Sequence, residues 1–216
     1  MNKLILFCLE TNKQSDTDRP YIMETIKRFY KDDRKTVIRT VYLRSKTRYK
    51  ENSVVKEITR CKNEFPNNNV TVIYCIDVDD YDTSPDTKTL LDNIKAYCKT
   101  NHYEFVFFCR DIEDVYWKRR ATKNEKVPMA TAFRVKHQID VVKESQLRKT
   151  NYAKNSSNIL IVLDNHFIKK ISVSFYDIRL LKGRFAGRIY GTERTVPSGP
   201  FYLHPWCPAL KFFGFV

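Results

Sequence analysis

Four carboxylates fall within six positions at Asp77-Val78-Asp79-Asp80-Tyr81-Asp82. They follow directly on Val70 to Ile76, a run of apolar and β-branched residues with no charge and no proline. Such a run reads as a strand buried on both faces of a parallel sheet. Sheets of that kind take their ligands outside the carboxyl ends of the strands. Side chains two residues apart on a strand share a face, so Asp77 and Asp79 read as neighbouring carboxylates. Close carboxylates repel unless a proton or a cation lies between them, and hard oxygen ligands suit Mg²⁺ or Mn²⁺. Asp77, Asp79 and Asp80 are therefore candidate metal ligands. Helix capping is the competing reading of acids after a strand, but a cap needs only one carboxylate.

Two further acids stand in the same relation to an apolar run. Lys3 to Leu9 (KLILFCL) ends at Glu10, and Tyr103 to Cys109 (YEFVFFC) leads into a turn that carries Glu113. If strands one, three and four lie side by side, Glu10, Asp77, Asp79 and Glu113 converge as candidate catalytic acids. A magnesium ion among them would offset their repulsion and polarise a phosphodiester. Glu10 is read either as a ligand of that ion or as a general acid or base beside it. Asp86 and Asp111 read as helix caps.

The elements that must position these residues alternate regularly. A helix starting near Pro20, capped by Asp16 or Asp18, follows the first strand, and Thr36 to Leu43 forms the second. Val54, Val55, Ile58 and Cys61 mark a helix before the central strand. Another helix spans Asp86 to Thr100. The order βαβαβαβ with right-handed crossovers predicts an α/β domain with a doubly wound parallel sheet over residues 1–117. Residues 118–182 read as a basic, mainly helical extension. It contains a basic amphipathic helix from Ala130 to Lys149, and Asn158 to Leu163 as a last strand or a core helix. All five glycines lie in the tail 183–216, none in 1–182. That shift fits either a separate binding module or a foreign end from a shifted reading frame.

Charge is divided unevenly. Of the 216 residues, the first 117 carry 20 Lys/Arg against 19 Asp/Glu; the remainder carries 19 against 6, giving +14 in all. A neutral domain joined to a strongly basic one suggests nucleic acid as partner, with Lys118, Arg119, Arg120, Lys123, Arg134 and Lys136 as candidate contacts. A solvated lysine-rich surface is the plainer alternative. Six cysteines without a CxxC spacing argue against a zinc site and for a reducing compartment. With no apolar stretch near 18 residues and no leader, a soluble cytoplasmic protein, with no membrane association, is expected. No glycine-rich phosphate loop is present, so ATP hydrolysis by this chain alone is not expected.

A Glu after the first strand and an Asp-x-Asp after a later one resemble the signature of the Toprim fold. The closer likeness is to RloB-like proteins of bacterial defence and abortive-infection loci, over roughly residues 3–117. It rests on Leu9-Glu10, on Asp77-Val78-Asp79-Asp80, and on Ile112-Glu113-Asp114-Val115-Tyr116-Trp117. Toprim sequences usually carry glycine after the first Glu, where this chain has Thr11. The resemblance implies a Toprim-like (Rossmann-like) fold and a Mg²⁺-dependent nuclease with Glu10, Asp77 and Asp79 as catalytic acids and Glu113 as an additional one. It also implies a role in anti-phage defence with an ABC/OLD-type ATPase partner. The alternative is a non-catalytic nucleic-acid-binding or effector-interacting subunit of such a system. A DxD phosphotransferase is disfavoured, because its motif usually follows the first strand rather than the third.

Overall fold

The computed structural model describes residues 2–65, 69–79 and 81–170. Asp80, residues 171–182 of the extension and the tail 183–216 lie outside them. Four strands, β1 (Lys3–Leu9), β2 (Thr36–Tyr42), β3 (Val70–Val78) and β4 (Glu104–Cys109), form one all-parallel sheet in the order β2-β1-β3-β4. The helices are α1 (Asp18–Phe29), α2 (Asn52–Asn63), α3 (Pro85–Thr100), α4 (Ile112–Trp117), α5 (Lys126–Val135) and α6 (Ile159–Leu163). A 3₁₀ turn, Lys46–Arg48, joins β2 to α2, and two more, Gln138–Val141 and Glu144–Gln146, follow α5. The expected α/β architecture is therefore present, Rossmann-like in arrangement. Among the described residues no helix is long and apolar enough to cross a membrane.

Why the strands read as apolar runs follows from their two-sided burial. Alternate side chains enter different cores. Ile5, Phe7, Leu9, Ile73 and Cys75 pack with α1, α4, α5 and α6, whereas Leu4, Leu6, Cys8, Val72, Tyr74 and Ile76 pack with α2 and α3. The first core also takes in Phe133, Ile139, Val142, Leu147 and Leu160, so residues 118–170 share a core with the sheet. Asn158 closes the outer edge of β4. Its Nδ2 donates to the Phe105 carbonyl and its Oδ1 accepts the Phe107 N–H, both at 2.9 Å, which satisfies backbone that a bare edge strand would expose.

Several local expectations change. The single helix expected over Ala130–Lys149 is instead α5 followed by two 3₁₀ turns. The break falls at His137, which adopts a left-handed φ of 48°. Asn158–Leu163 resolves as a core helix, with Ile159, Leu160, Val162 and Leu163 buried. Helix α3 is capped by Ser84, whose Oγ accepts the Thr87 N–H at 3.3 Å, while Asp86 sits in the first turn. A hydroxyl one residue ahead of Pro85 reaches the free N–H groups, and a first-turn acid needs no bond to favour the helix dipole. Neither Asp16 nor Asp18 caps α1: the N-cap position is Thr17, whose side chain makes no capping bond. Asp16 accepts the Tyr42 hydroxyl at 2.9 Å instead.

Candidate active site at the carboxyl edge of the sheet

Parallel strands end on one edge, which brings together residues far apart in sequence. β1 and β3 run in register up to Leu9 opposite Cys75, so Glu10 stands level with the end of β3. Its Oε1 accepts the Asp77 N–H at 2.7 Å and its Oε2 accepts the Lys46 N–H at 3.2 Å. β3 and β4 are paired up to Val78 opposite Cys109, which sets the next segment beside Asp77. There Asp111 caps α4 by accepting the Asp114 N–H at 2.6 Å, the role expected for it. Glu113, in the first turn of α4, is completely buried.

The alternation that puts Ile73 and Cys75 in the core under α1 and α4 carries Asp77 to the same side. Burial holds its carboxyl well above the usual range, Glu10 and Asp18 push it further, and Lys126 works against them. Burial likewise lifts Glu10 to about 7, opposed by the Lys46 charge and by the N–H bond from Asp77. Asp18, a buried residue of α1, is lifted to about 8 by burial and by the neighbouring Glu113. Glu113 is raised by burial and held back by Lys126. Carboxyls gathered in a place poor in water thus favour their protonated forms.

Two ammonium groups sit among them. The Nζ of Lys46 donates to the Asp77 carbonyl at 2.8 Å and to Oδ2 of Asp79 at 2.7 Å. The Nζ of Lys126 lies 3.1 Å from Oε2 of Glu113. That contact is an ion pair off the line of a hydrogen bond, and neither Glu113 oxygen receives a well-directed donor among the described residues.

Of the acids expected to converge, Glu10, Asp77 and Glu113 belong to one electrostatic cluster. Asp79 joins it through Lys46, with nearly half of its side chain (46%) exposed. Sequence reasoning missed Asp18, which it weighed only as a cap, and both lysines. The basic residues expected to contact nucleic acid divide into two groups. Lys118, Arg119, Arg120 and Lys123 are exposed in the loop between α4 and Lys126, and Arg119 pairs with Glu125 at 3.0 Å. Arg134 lies about 12 Å further along α5. It lines a groove of 300 Å³ with Asp16, Arg19, Pro20, Met23, Glu24 and Lys27. Lys136 is exposed just past the end of that helix.

Carboxylate and carbonyl oxygens are the donor set that Mg²⁺ or Mn²⁺ prefers. Among the described residues, however, no three carboxylate, imidazole or thiol side chains stand close enough to enclose a metal. Both oxygens of Glu10 already accept backbone N–H groups, and Asp79 is engaged by Lys46. That leaves at most one or two carboxylates for a divalent ion, whose shell water and substrate oxygens would have to complete.

Fold and edge together define a class: a Rossmann-like parallel α/β protein with an acidic cluster where such sheets bind ligands. No family model, no curated protein and no solved structure matches the chain.

Proposed function

We propose that the chain is a divalent-cation-dependent, Toprim-like nuclease that cleaves phosphodiesters of DNA or RNA at this edge. The observation that carries the reading is the grouping of Glu10, Asp77 and Glu113 into one electrostatic cluster at the edge where the adjacent parallel strands β1, β3 and β4 end. Asp77 and Asp79 take the ion, which when bound supplies charge neutralisation and polarisation of the phosphodiester. Glu10 fixes the end of β3 and the Lys46 turn by accepting the Asp77 and Lys46 N–H groups. Glu113 and Asp18, held with Lys126 behind Asp77, set the charge of the cluster without meeting solvent. The exposed cations from Lys118 to Lys123, on the loop that leads into Lys126, supply phosphate contacts. An anti-phage role with an ATPase partner belongs to the same proposal and rests on the likeness to RloB-like proteins alone.

One observation favours the second reading, a non-catalytic nucleic-acid-binding subunit: Lys46 and Lys126 already balance part of the acidic charge. Labelled single- and double-stranded DNA and RNA, incubated with Mg²⁺ or Mn²⁺, separate the two. Wild-type cleavage that requires the metal and disappears in Asp77→Ala supports the nuclease. Binding without cleavage in both proteins, with the partner ATPase supplied, assigns the subunit role instead.

A further inference from the structure

Lys46 is carried by neither a strand nor a long helix. It opens the 3₁₀ turn Lys46–Arg48, which Ser45 starts by accepting the Thr47 N–H with its Oγ at 3.4 Å. Three bonds tie this one residue to Glu10, Asp77 and Asp79. Its backbone N–H goes to Glu10, and its ammonium goes to the carbonyl of Asp77 and the carboxylate of Asp79. Only 15% of its side chain is exposed. An ordinary surface lysine keeps its ammonium in water and gains little from one carboxylate. This one has given up most of its water for two fixed oxygens, each within 2.8 Å.

A carbonyl oxygen and a carboxylate oxygen converging on one positive centre form the surroundings that a hard divalent ion takes. An ammonium at hydrogen-bond distance and a divalent ion on the same carboxylate repel, so the two compete for Asp79. The lysine stem is long and flexible and ends in a compact point charge, so the ammonium can withdraw without moving the backbone. Its backbone bond to Glu10 would persist when it does.

We propose that Lys46 is a built-in counter-cation: in the free protein its ammonium occupies the divalent-ion position, and the metal enters only by displacing it from Asp79. The proposal rests on the nuclease reading for the existence of the ion. Its consequence is specific, because Lys46 weakens metal binding even though it belongs to the site. Loss of a positive side chain elsewhere on the surface should have no such effect.

Mn²⁺ binding to the full chain without nucleic acid, followed by calorimetry or by the electron paramagnetic resonance of free Mn²⁺, tests this. Lys46→Met should tighten the Mn²⁺ dissociation constant by about tenfold, a reduced form of the repulsion between such close charges because Asp79 is half in water. Lys46→Arg, which keeps the charge, should match the wild type. Lys50→Met should do the same, since Lys50 is exposed and lies over the Tyr49 ring rather than at the acids. Lys46→Gln provides a second neutral variant, and thermal melts identify which proteins are folded. Unchanged or weaker Mn²⁺ binding in a folded neutral variant overturns the proposal, as does equal tightening by Lys50→Met. The nuclease reading survives that outcome if the wild type binds Mn²⁺ and cleaves. Absence of Mn²⁺ binding and of cleavage in every variant removes both.

Discussion

Replacing Lys126 by Met tests whether the buried acids are held by this lysine. Glu113 has no exposed surface, and its Oε2 lies 3.1 Å from the ammonium, whose side chain is 32% exposed. Removing one partner of a buried ion pair costs about 3–5 kcal/mol. Solvent reaches part of Lys126, so the lower end applies, about 2–3 kcal/mol at pH 8. For a unit of this size that corresponds to a fall in melting temperature of roughly 4–12 °C. The loss must depend on pH. Burial raises the folded-state carboxyl of Glu113 above its unfolded value, so acidification lets the native protein take up the proton. As pH falls through that raised value the charge that Lys126 compensates is progressively lost, so the loss should be smaller at pH 5 than at pH 8. Lys126 has its own folded value raised, so it stays charged from pH 5 to pH 8 and adds no slope of its own. Urea denaturation of wild type and Lys126→Met at both pH values gives the comparison. Adding Glu113→Gln to the Lys126→Met chain should recover most of the stability at pH 8. Equal losses at the two pH values, or no recovery with Glu113→Gln, would refute the argument.

Three other outcomes are expected. The wild type should lose about 6 kcal/mol between pH 5 and pH 8, roughly 2.5 from Glu10 and about 3.5 from Asp18, because these carboxyls, lifted to about 7 and about 8, bind protons in the folded state that the unfolded chain releases near pH 4; stability that rises across this window in denaturation curves would contradict it. Phe133→Ala should cost about 3–5 kcal/mol, since the ring is fully buried against Tyr21, Tyr116 and Trp117. Its melt should stay a single transition; separate melting of a helical segment would mean that residues 118–170 do not fold with the sheet. Replacing Arg119 and Lys123 by Ala should weaken nucleic-acid binding and lower the slope of log affinity against log salt by about two, one for each cation that no longer meets a phosphate. An unchanged slope moves the nucleic-acid face elsewhere.

The strands and the acids were legible in the sequence for the same reason. A strand buried on both faces must be apolar along its whole length, so Val70–Ile76 and Lys3–Leu9 announce both themselves and the place where they stop. A carboxylate within a residue or two of that stop has a short side chain, and backbone register alone fixes its position. Glu10 and Asp77 were found that way. The segment after α5 was not legible as a whole. Its apolar residues Ile139, Val142 and Leu147 are all buried, but through two 3₁₀ turns in which a helical period and an irregular chain look alike. Asp18 was visible only as a cap candidate, because its approach to Glu113 depends on how α1 lies against α4.

The lysines were hidden for a more general reason. An ammonium at the end of four methylenes can reach any carboxylate within a wide radius, and the neighbours that fix it lie on other elements. Lys46 stands in Arg44-Ser45-Lys46-Thr47-Arg48, where nothing local separates it from the cations around it. Lys126 ends a basic loop that reads as plain surface, yet its ammonium lies against the buried Glu113. Reading acids without their counter-ions therefore overstates the pull of such an edge on a metal. Glu10, Asp77 and Asp79 taken alone suggest a cage open to magnesium. If Lys46 yields its place to a metal, affinity is a difference between two occupants of the same oxygens, and Lys46 is the one residue of the pair that can withdraw without stranding a buried charge.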